Sequence, residues 1–110
     1  MDAQLKALAD PRRRQILELV RDRELPAGAI AAHFAVTRPA ISQHLTVLKQ
    51  AGLLHERREG TRRLYRAQPA GLLGLKRFID RFWAEGLTRL KAHAEAEADA
   101  EATPTHHQDP

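Results

Sequence analysis

Residues 37–66, TRPAISQHLTVLKQAGLLHERREGTRRLYR, constrain the fold more than any other stretch of the chain. Thr37 is placed to cap a helix, and Pro39 falls in the first turn, where no backbone donor is needed. Ile41, Leu45 and Leu48 follow at i, i+4 and i+7 and make one apolar stripe that must face a core. The same periodicity turns Arg38, Ser42, Gln43 and Thr46 away from it. Gly52 stops the helix. Two short strands are then expected, about 53–58 and 63–67, joined around Glu59-Gly60-Thr61.

The rest of the chain reads as support for that element. A first short helix is expected from Gln4 to Ala9, carrying Leu5 and Leu8. Asp10-Pro11 opens a second, with Asp as N-cap and Pro at the first helical position. Ile16, Leu17, Leu19 and Val20 form its apolar face, and Arg12, Arg13 and Arg14 occupy its first turn. Leu25-Pro26 breaks the pattern before an alanine-rich third helix, Ala27 to Phe34. From Pro69 the chain is helical again to about His93 or somewhat beyond. There Leu72, Leu75, Phe78, Ile79, Phe82, Trp83, Leu87 and Leu90 cover more than one face. The surplus suggests a partner helix from another subunit, anchored by Phe82 and Trp83. The alternative is a helix that wraps its own domain.

The expected fold is mainly α with a small β-hairpin wing: a winged helix-turn-helix of about five helices and two strands. Residues 1–94 would form the ordered domain. Residues 95–110, alanine- and acid-rich and then polar, would form an acidic, disordered tail, with room for the helix to run into its start.

Charge sharpens the reading. All 18 Lys and Arg lie in residues 1–91 beside nine of the 14 acids, and the other five acids fall in residues 92–110. The ordered part thus carries +9 and the tail −5, hidden within a formal +4. A basic domain of this size favours nucleic acid as partner. Cysteine is absent, which excludes disulfides and thiolate metal sites. No apolar run approaches the ~18 residues of a membrane span, and the N-terminus lacks the apolar centre of a secretory signal. A cytoplasmic location is expected by default.

Reading DNA requires cations for phosphates and short polar groups for base edges. Ser42, Gln43 and Thr46 supply the latter, and Arg38 suits guanine or phosphate. Thr37 sits where free backbone donors favour a phosphate. In the hairpin, Arg57, Arg58, Arg62, Arg63 and Arg66 are opposed only by Glu56 and Glu59, the composition of a backbone or minor-groove contact.

ALADPRRRQILELV, RPAISQHLTVLKQAGLL and RREGTRRLY together resemble the bacterial ArsR family of winged-helix repressors, over about residues 3–93. Ser42-Gln43-His44-Leu45, with Leu48 and Ala51-Gly52-Leu53, is the most specific part. The resemblance implies a homodimer joined by first and last helices, which places Leu5, Leu8, Leu75, Ile79, Phe82, Trp83, Leu87 and Leu90 at the interface. It implies two recognition helices on an imperfect palindrome in double-stranded DNA, and base or phosphate contacts from Arg38, Ser42 and Gln43. His44 matches a recurrent family position but lies nearer the core on the helical wheel, so a phosphate contact is the weaker role assigned to it.

Metal sensing, common in that family, is not expected. Pro26 and Gly28 stand where thiolates would be. Of a second family site only Asp80 and His93 are matched, with Phe82 and Ala96 replacing the other ligands, too few for a tetrahedral zinc site. His106 and His107 form only a pair. The last helix looks more like the metal-free, SdpR-like branch, whose effector would be a small organic molecule or a protein. The expected function is a sequence-specific, homodimeric repressor acting near its own gene, with no cofactor. Alternatives are a metal-responsive repressor using other ligands, or a winged helix that docks on protein or RNA. An enzyme is disfavoured: no Gly-rich phosphate loop and no His–carboxylate grouping is present.

Overall fold

The computed structural model of the chain describes residues 1–101. Five helices and three strands follow in the order α1 (Asp2–Leu8), α2 (Pro11–Leu19), β1 (Leu25–Pro26), α3 (Ala27–Ala31), α4 (Arg38–Gln50), β2 (Leu54–Glu59), β3 (Arg62–Ala67) and α5 (Leu73–Glu101). A 3-10 turn, Pro69–Leu72, precedes α5. The chain divides into two compact units, Met1–Leu75 and a second beginning at Lys76.

In the first unit the local signals act as their chemistry requires. The Asp10 side chain accepts from the backbone N–H groups of Arg12 (2.7 Å) and Arg13 (3.4 Å), with Pro11 behind it opening α2. Thr37 caps α4 by accepting from Ala40 N–H at 3.2 Å. At the other end Gly52 adopts φ +75°, and its N–H and that of Leu53 return to Lys49 and Leu48 carbonyls. That is the Schellman closure, which places a left-handed residue just beyond the helix.

Ile41, Leu45 and Leu48 are buried against Ala7 of α1, Ile16 of α2, Val20 just beyond it, and Ile30 of α3. Leu17 and Leu19 reach the core only partly. Leu53, Leu54, Leu64 and Tyr65 close it from the sheet side. No charged or polar residue is buried among the described residues.

The segment around α3 differs from expectation in two respects. The helix α3 ends at Ala31; the chain continues to Phe34 through tighter i→i+3 bonds, Ile30 to His33 and Ala31 to Phe34. Leu25-Pro26, read as a break, is also a short edge strand. It pairs antiparallel with β3, Leu25 opposite Tyr65 and Pro26 opposite Leu64, giving the sheet order β1-β3-β2. An edge tolerates proline because only one side of the strand needs donors.

The second unit is the helix beyond Lys76. Phe78 and Phe82 stack with ring centroids 6.1 Å apart, and Lys76 pairs with Asp80 at 2.6 Å. Phe82 and Trp83 are 68% and 65% exposed, and Ile79, Leu87 and Leu90 are also exposed. The helix continues to Glu101, past the 94/95 boundary drawn from composition, while His106 and His107 lie outside the described residues. No helix among the described residues is long and apolar enough to cross a membrane.

The end of α4 is held where the chain re-enters from the hairpin. Gln4 Nε2 donates to Ala51 O at 2.6 Å, Gln68 Nε2 to Gly52 O at 3.2 Å, and Gln68 N–H to Leu53 O at 2.8 Å. Gly71 packs so closely on Gly52 that a Cβ would collide with the Gly52 carbonyl, whereas Gly74 faces open space. Gly71→Ala is therefore expected to destabilise the fold by about 1–3 kcal/mol. Gly74→Ala should be neutral or stabilise by up to about 1 kcal/mol. Urea denaturation of the two variants checks the contrast.

Candidate nucleic-acid interface

With Ile41, Leu45 and Leu48 facing inward, the stripe one residue later faces out: Ser42, Thr46 and Lys49, all exposed, with Arg38 and Gln43 also in solvent. Lys49 belongs to this face by the same i, i+4, i+7 spacing, and the sequence reading missed it. Arg38, in the first turn, lies over α3. A Cβ on Gly28 would stand 3.4 Å from its guanidinium, so a small residue there leaves the arginine room.

The hairpin turns at Gly60-Thr61, with Glu59 opposite Arg62. Within the turn Gly60 alone has positive φ, +63°, matching the II′ pattern that suits the twist of two-residue hairpins. Directly opposed residues share a face. One face of the ribbon therefore carries Glu56 with Tyr65 and Arg58 with Arg63; the other carries Arg57, Glu59, Arg62 and Arg66. The first face continues into α4: a polar groove is lined by Ser42, Thr46, Lys49, Glu56, Arg63 and Tyr65. Beside it, Arg38 and Ser42 meet Thr61, Arg62 and Arg63 across a second groove. Helix and wing thus form one surface.

The five wing arginines are not equivalent. Arg57 makes a bidentate pair with Glu24, Nε to Oε2 at 2.9 Å and Nη2 to Oε1 at 2.8 Å, and reaches Glu59 at 3.2 Å. These acids hold its guanidinium firmly protonated, above its ordinary value. Arg57 is therefore already partnered within the chain, and Glu24 is the opposing acid that sequence spacing did not reveal. Arg58 and Arg63 face each other across the ribbon, and neither forms an ion pair among the described residues. Opposed like charges destabilise a ribbon. An external polyanion relieves that repulsion.

Glu56 joins the two elements. Partial burial pushes its carboxyl up, but Lys49, 3.3 Å away, together with Tyr65 and Arg63 outweighs this and holds it below the usual carboxylate value. Tyr65 in turn is raised by burial and by the Glu56 charge. Glu56 is thus ionised at neutral pH and ties the wing to the C-terminal half of α4.

His44 sits apart from the groove. It is half-buried, with Nδ1 3.5 Å from the Arg13 guanidinium, on the side of α4 toward α2. Arg13 also donates to the Ala7 and Lys6 carbonyls, and Arg14 to Leu8, so these two arginines close the C-terminus of α1. Arg12 lies 4.9 Å over the Phe34 ring. Among the described residues no three of His, Cys, Asp and Glu stand together as metal ligands. His93 pairs instead with Glu97 at 3.1 Å, and Asp80 with Lys76.

Residues 10–56 match the family described as bacterial regulatory protein, arsR family. The chain is similar to the HTH-type transcriptional regulator Rv2034 of Mycobacterium tuberculosis, 44% identical over 89% of this chain and 92% of that one. The chain belongs to the ArsR family. It is a DNA-binding transcriptional regulator with the winged-helix fold. A segment covering 54% of the chain is 45% identical to the transcriptional repressor SdpR of Bacillus subtilis, over 67% of that protein. Among solved structures, the homodimeric winged helix-turn-helix DNA-binding domain of a possible ArsR-family regulator from Mycobacterium bovis superposes with a TM-score of 0.59. It is 34% identical and covers 99% of this chain and 86% of that one.

The Glu24–Arg57 pair generates a pH prediction. Arg57 holds the Glu24 carboxyl below its ordinary 4.5, so the stability it contributes is complete above that pH and lost as pH falls through the folded value. Glu24→Gln should be less stable than the parent at neutral pH. The gap should close in acid, as measured by denaturant midpoints across the titration.

Proposed function

We propose that this ArsR-family regulator is a cytoplasmic, homodimeric repressor that binds an imperfect palindrome near its own gene. The observation that carries the reading is the single surface formed by the outward face of α4 and the Arg58–Arg63 couple of the wing, which forms no ion pair among the described residues. In this reading α4 enters a major groove, where Gln43 pairs with adenine and Arg38 and Ser42 contact bases or phosphates. Thr37, at the positive end of the α4 dipole, meets a phosphate, and His44 at most supports one through Arg13. Arg58, Arg62 and Arg63 follow the adjacent backbone, while Arg57 acts mainly by fixing the wing through Glu24.

Two such helices must lie about 34 Å apart to read successive turns of one face of the duplex. The exposed apolar side chains of α5, Phe82 and Trp83 foremost, with Ile79, Leu87 and Leu90, supply the means of pairing two copies; exposed Leu5 of α1 and half-buried Leu8 and Leu75 complete the proposed interface. Apolar surface of that kind favours an interface. The homodimeric relative from Mycobacterium bovis supports the assignment, and the likeness to SdpR supports repression. Residues 1–94 then carry DNA binding and dimerisation, and the acidic segment 95–110 lies beyond them. Release from DNA requires an effector, a small molecule or a protein, that binds a non-binding dimer geometry better.

Fluorescence anisotropy with a duplex selected by the protein, against a scrambled one in a salt series, tests the reading. Arg63→Ala should weaken binding to both duplexes alike and reduce the salt slope by about 1 for each phosphate left without its cation. Gln43→Ala should cost about 1–3 kcal/mol on the selected duplex only and relax the preference at one base pair. Equal losses on both duplexes from both variants would refute this division of roles.

Trp83→Glu probes the dimer. Sedimentation equilibrium should show monomers, with the tight binding to a two-half-site duplex abolished and the fold of the first unit retained by circular dichroism.

A further inference from the structure

On the outward face of α4, the Thr46 hydroxyl donates to the Ser42 carbonyl one turn back, at 3.0 Å. Its single hydrogen is committed within the helix, so the side chain does not offer the donor that its residue type suggests. The shallow surface formed by Ser42, Gln43, Thr46 and Val47 is mainly apolar, although serine and glutamine flank it. Thr46 and Val47 lie three and four residues beyond Gln43, within reach of the base pair that Gln43 reads or its neighbour.

In the major groove each base edge offers a different chemistry, and the apolar one is the 5-methyl of thymine. We propose that Thr46, backed by Val47, is a specificity-determining residue that reads a thymine methyl through its own methyl group, beside the base pair contacted by Gln43. The inference rests on the placement of α4 in the major groove argued above. It assigns Thr46 an apolar role where sequence reasoning assigned a hydrogen bond. The contact also separates DNA from RNA, because uracil lacks the methyl.

The test uses the full chain and the duplex it enriches from a randomised pool. Each thymine of that duplex is replaced in turn by deoxyuridine, which removes one methyl and leaves every hydrogen-bonding group in place. Wild type should lose about fourfold in affinity at one thymine per half-site, the scale of one buried carbon. Thr46→Val keeps the methyl and discards the hydroxyl; it should bind the thymine duplex within about twofold of wild type and show the same uracil penalty. Thr46→Ser keeps the hydroxyl and discards the methyl. It should bind the thymine duplex about fifteenfold more weakly, because both half-sites lose the contact, and show no further loss on uracil. Thr46 is exposed, and matching thermal melts of the three proteins exclude a folding effect.

Indifference of wild type to every uracil would overturn the contact, as would a uracil penalty that persists in Thr46→Ser. Weakened binding in Thr46→Val equal to that in Thr46→Ser would mean that the hydroxyl reads the base. A pool that enriches no sequence overturns the sequence-specific reading itself. Enrichment with uracil indifference overturns this contact alone.

Discussion

What α4 presents to solvent is decided by what it buries. Ile41, Leu45 and Leu48 each contribute about 1.5–3 kcal/mol by leaving water, and they pack against α1, α2 and α3. A rotation of the helix by one residue would exchange that stripe for Ser42, Thr46 and Lys49. It would leave hydroxyls and an ammonium in an interior that holds no buried polar residue among the described positions. The outward face is therefore locked in angle by the inward one. Its position along the axis is set separately, by the Thr37 cap at one end and at the other by the Schellman closure that Gln4 and Gln68 reinforce.

The wing obeys a different balance. Its arginines repel one another, and a bare two-stranded ribbon is marginal in water. Burial of Leu54, Leu64 and Tyr65 supplies the adhesion, and β1 adds a third strand on the inner side. The Arg57–Glu24 pair fixes the ribbon to the segment before β1, and Lys49–Glu56 fixes it to α4. One arginine is thus devoted to holding the wing, while Arg58 and Arg63 form no ion pair among the described residues. At the start of α2 the same residue type acts otherwise: Arg13 and Arg14 satisfy the free carbonyls at the end of α1, and charge there serves structure.

Much of this was legible because the deciding interactions are local. Caps at Asp10 and Thr37, the Ile41–Leu45–Leu48 stripe and the glycines at 52 and 60 all act on near neighbours in the chain, and periodicity reports such interactions directly. The third strand was not legible, since Leu25-Pro26 becomes a strand only through β3, which lies far along the chain at Leu64 and Tyr65. Glu24 was missed as the partner of Arg57 for the same reason, being 33 residues away. The roles of Arg13 and Thr46 were hidden differently. Residue type advertises a charge or a hydroxyl, but the backbone carbonyls beside each had already engaged it. Lys49 alone was available to periodicity and overlooked, because a lysine in the last turn of a helix is equally well explained by the helix dipole.

Phosphates are the same on every duplex, so in the proposed binding mode the arginines of the wing would set affinity and its salt dependence without choosing a sequence. In the same proposal choice would fall to the few side chains of α4 that reach base edges, and their chemistry differs from their appearance. Gln43 retains both amide functions, whereas Thr46 has turned its hydrogen inward and shows carbon. Glu56 completes the argument from the opposite side. Close to a polyanion, an ionised carboxylate lowers affinity for every duplex through its charge. It is half-buried between Lys49 and Tyr65, and what it contributes is the angle between wing and helix. In the proposed complex that angle would decide whether Arg58 and Arg63 meet a phosphate while Gln43 and Thr46 meet a base. Affinity given up uniformly is thereby exchanged for simultaneous contacts that only a correctly placed groove can satisfy.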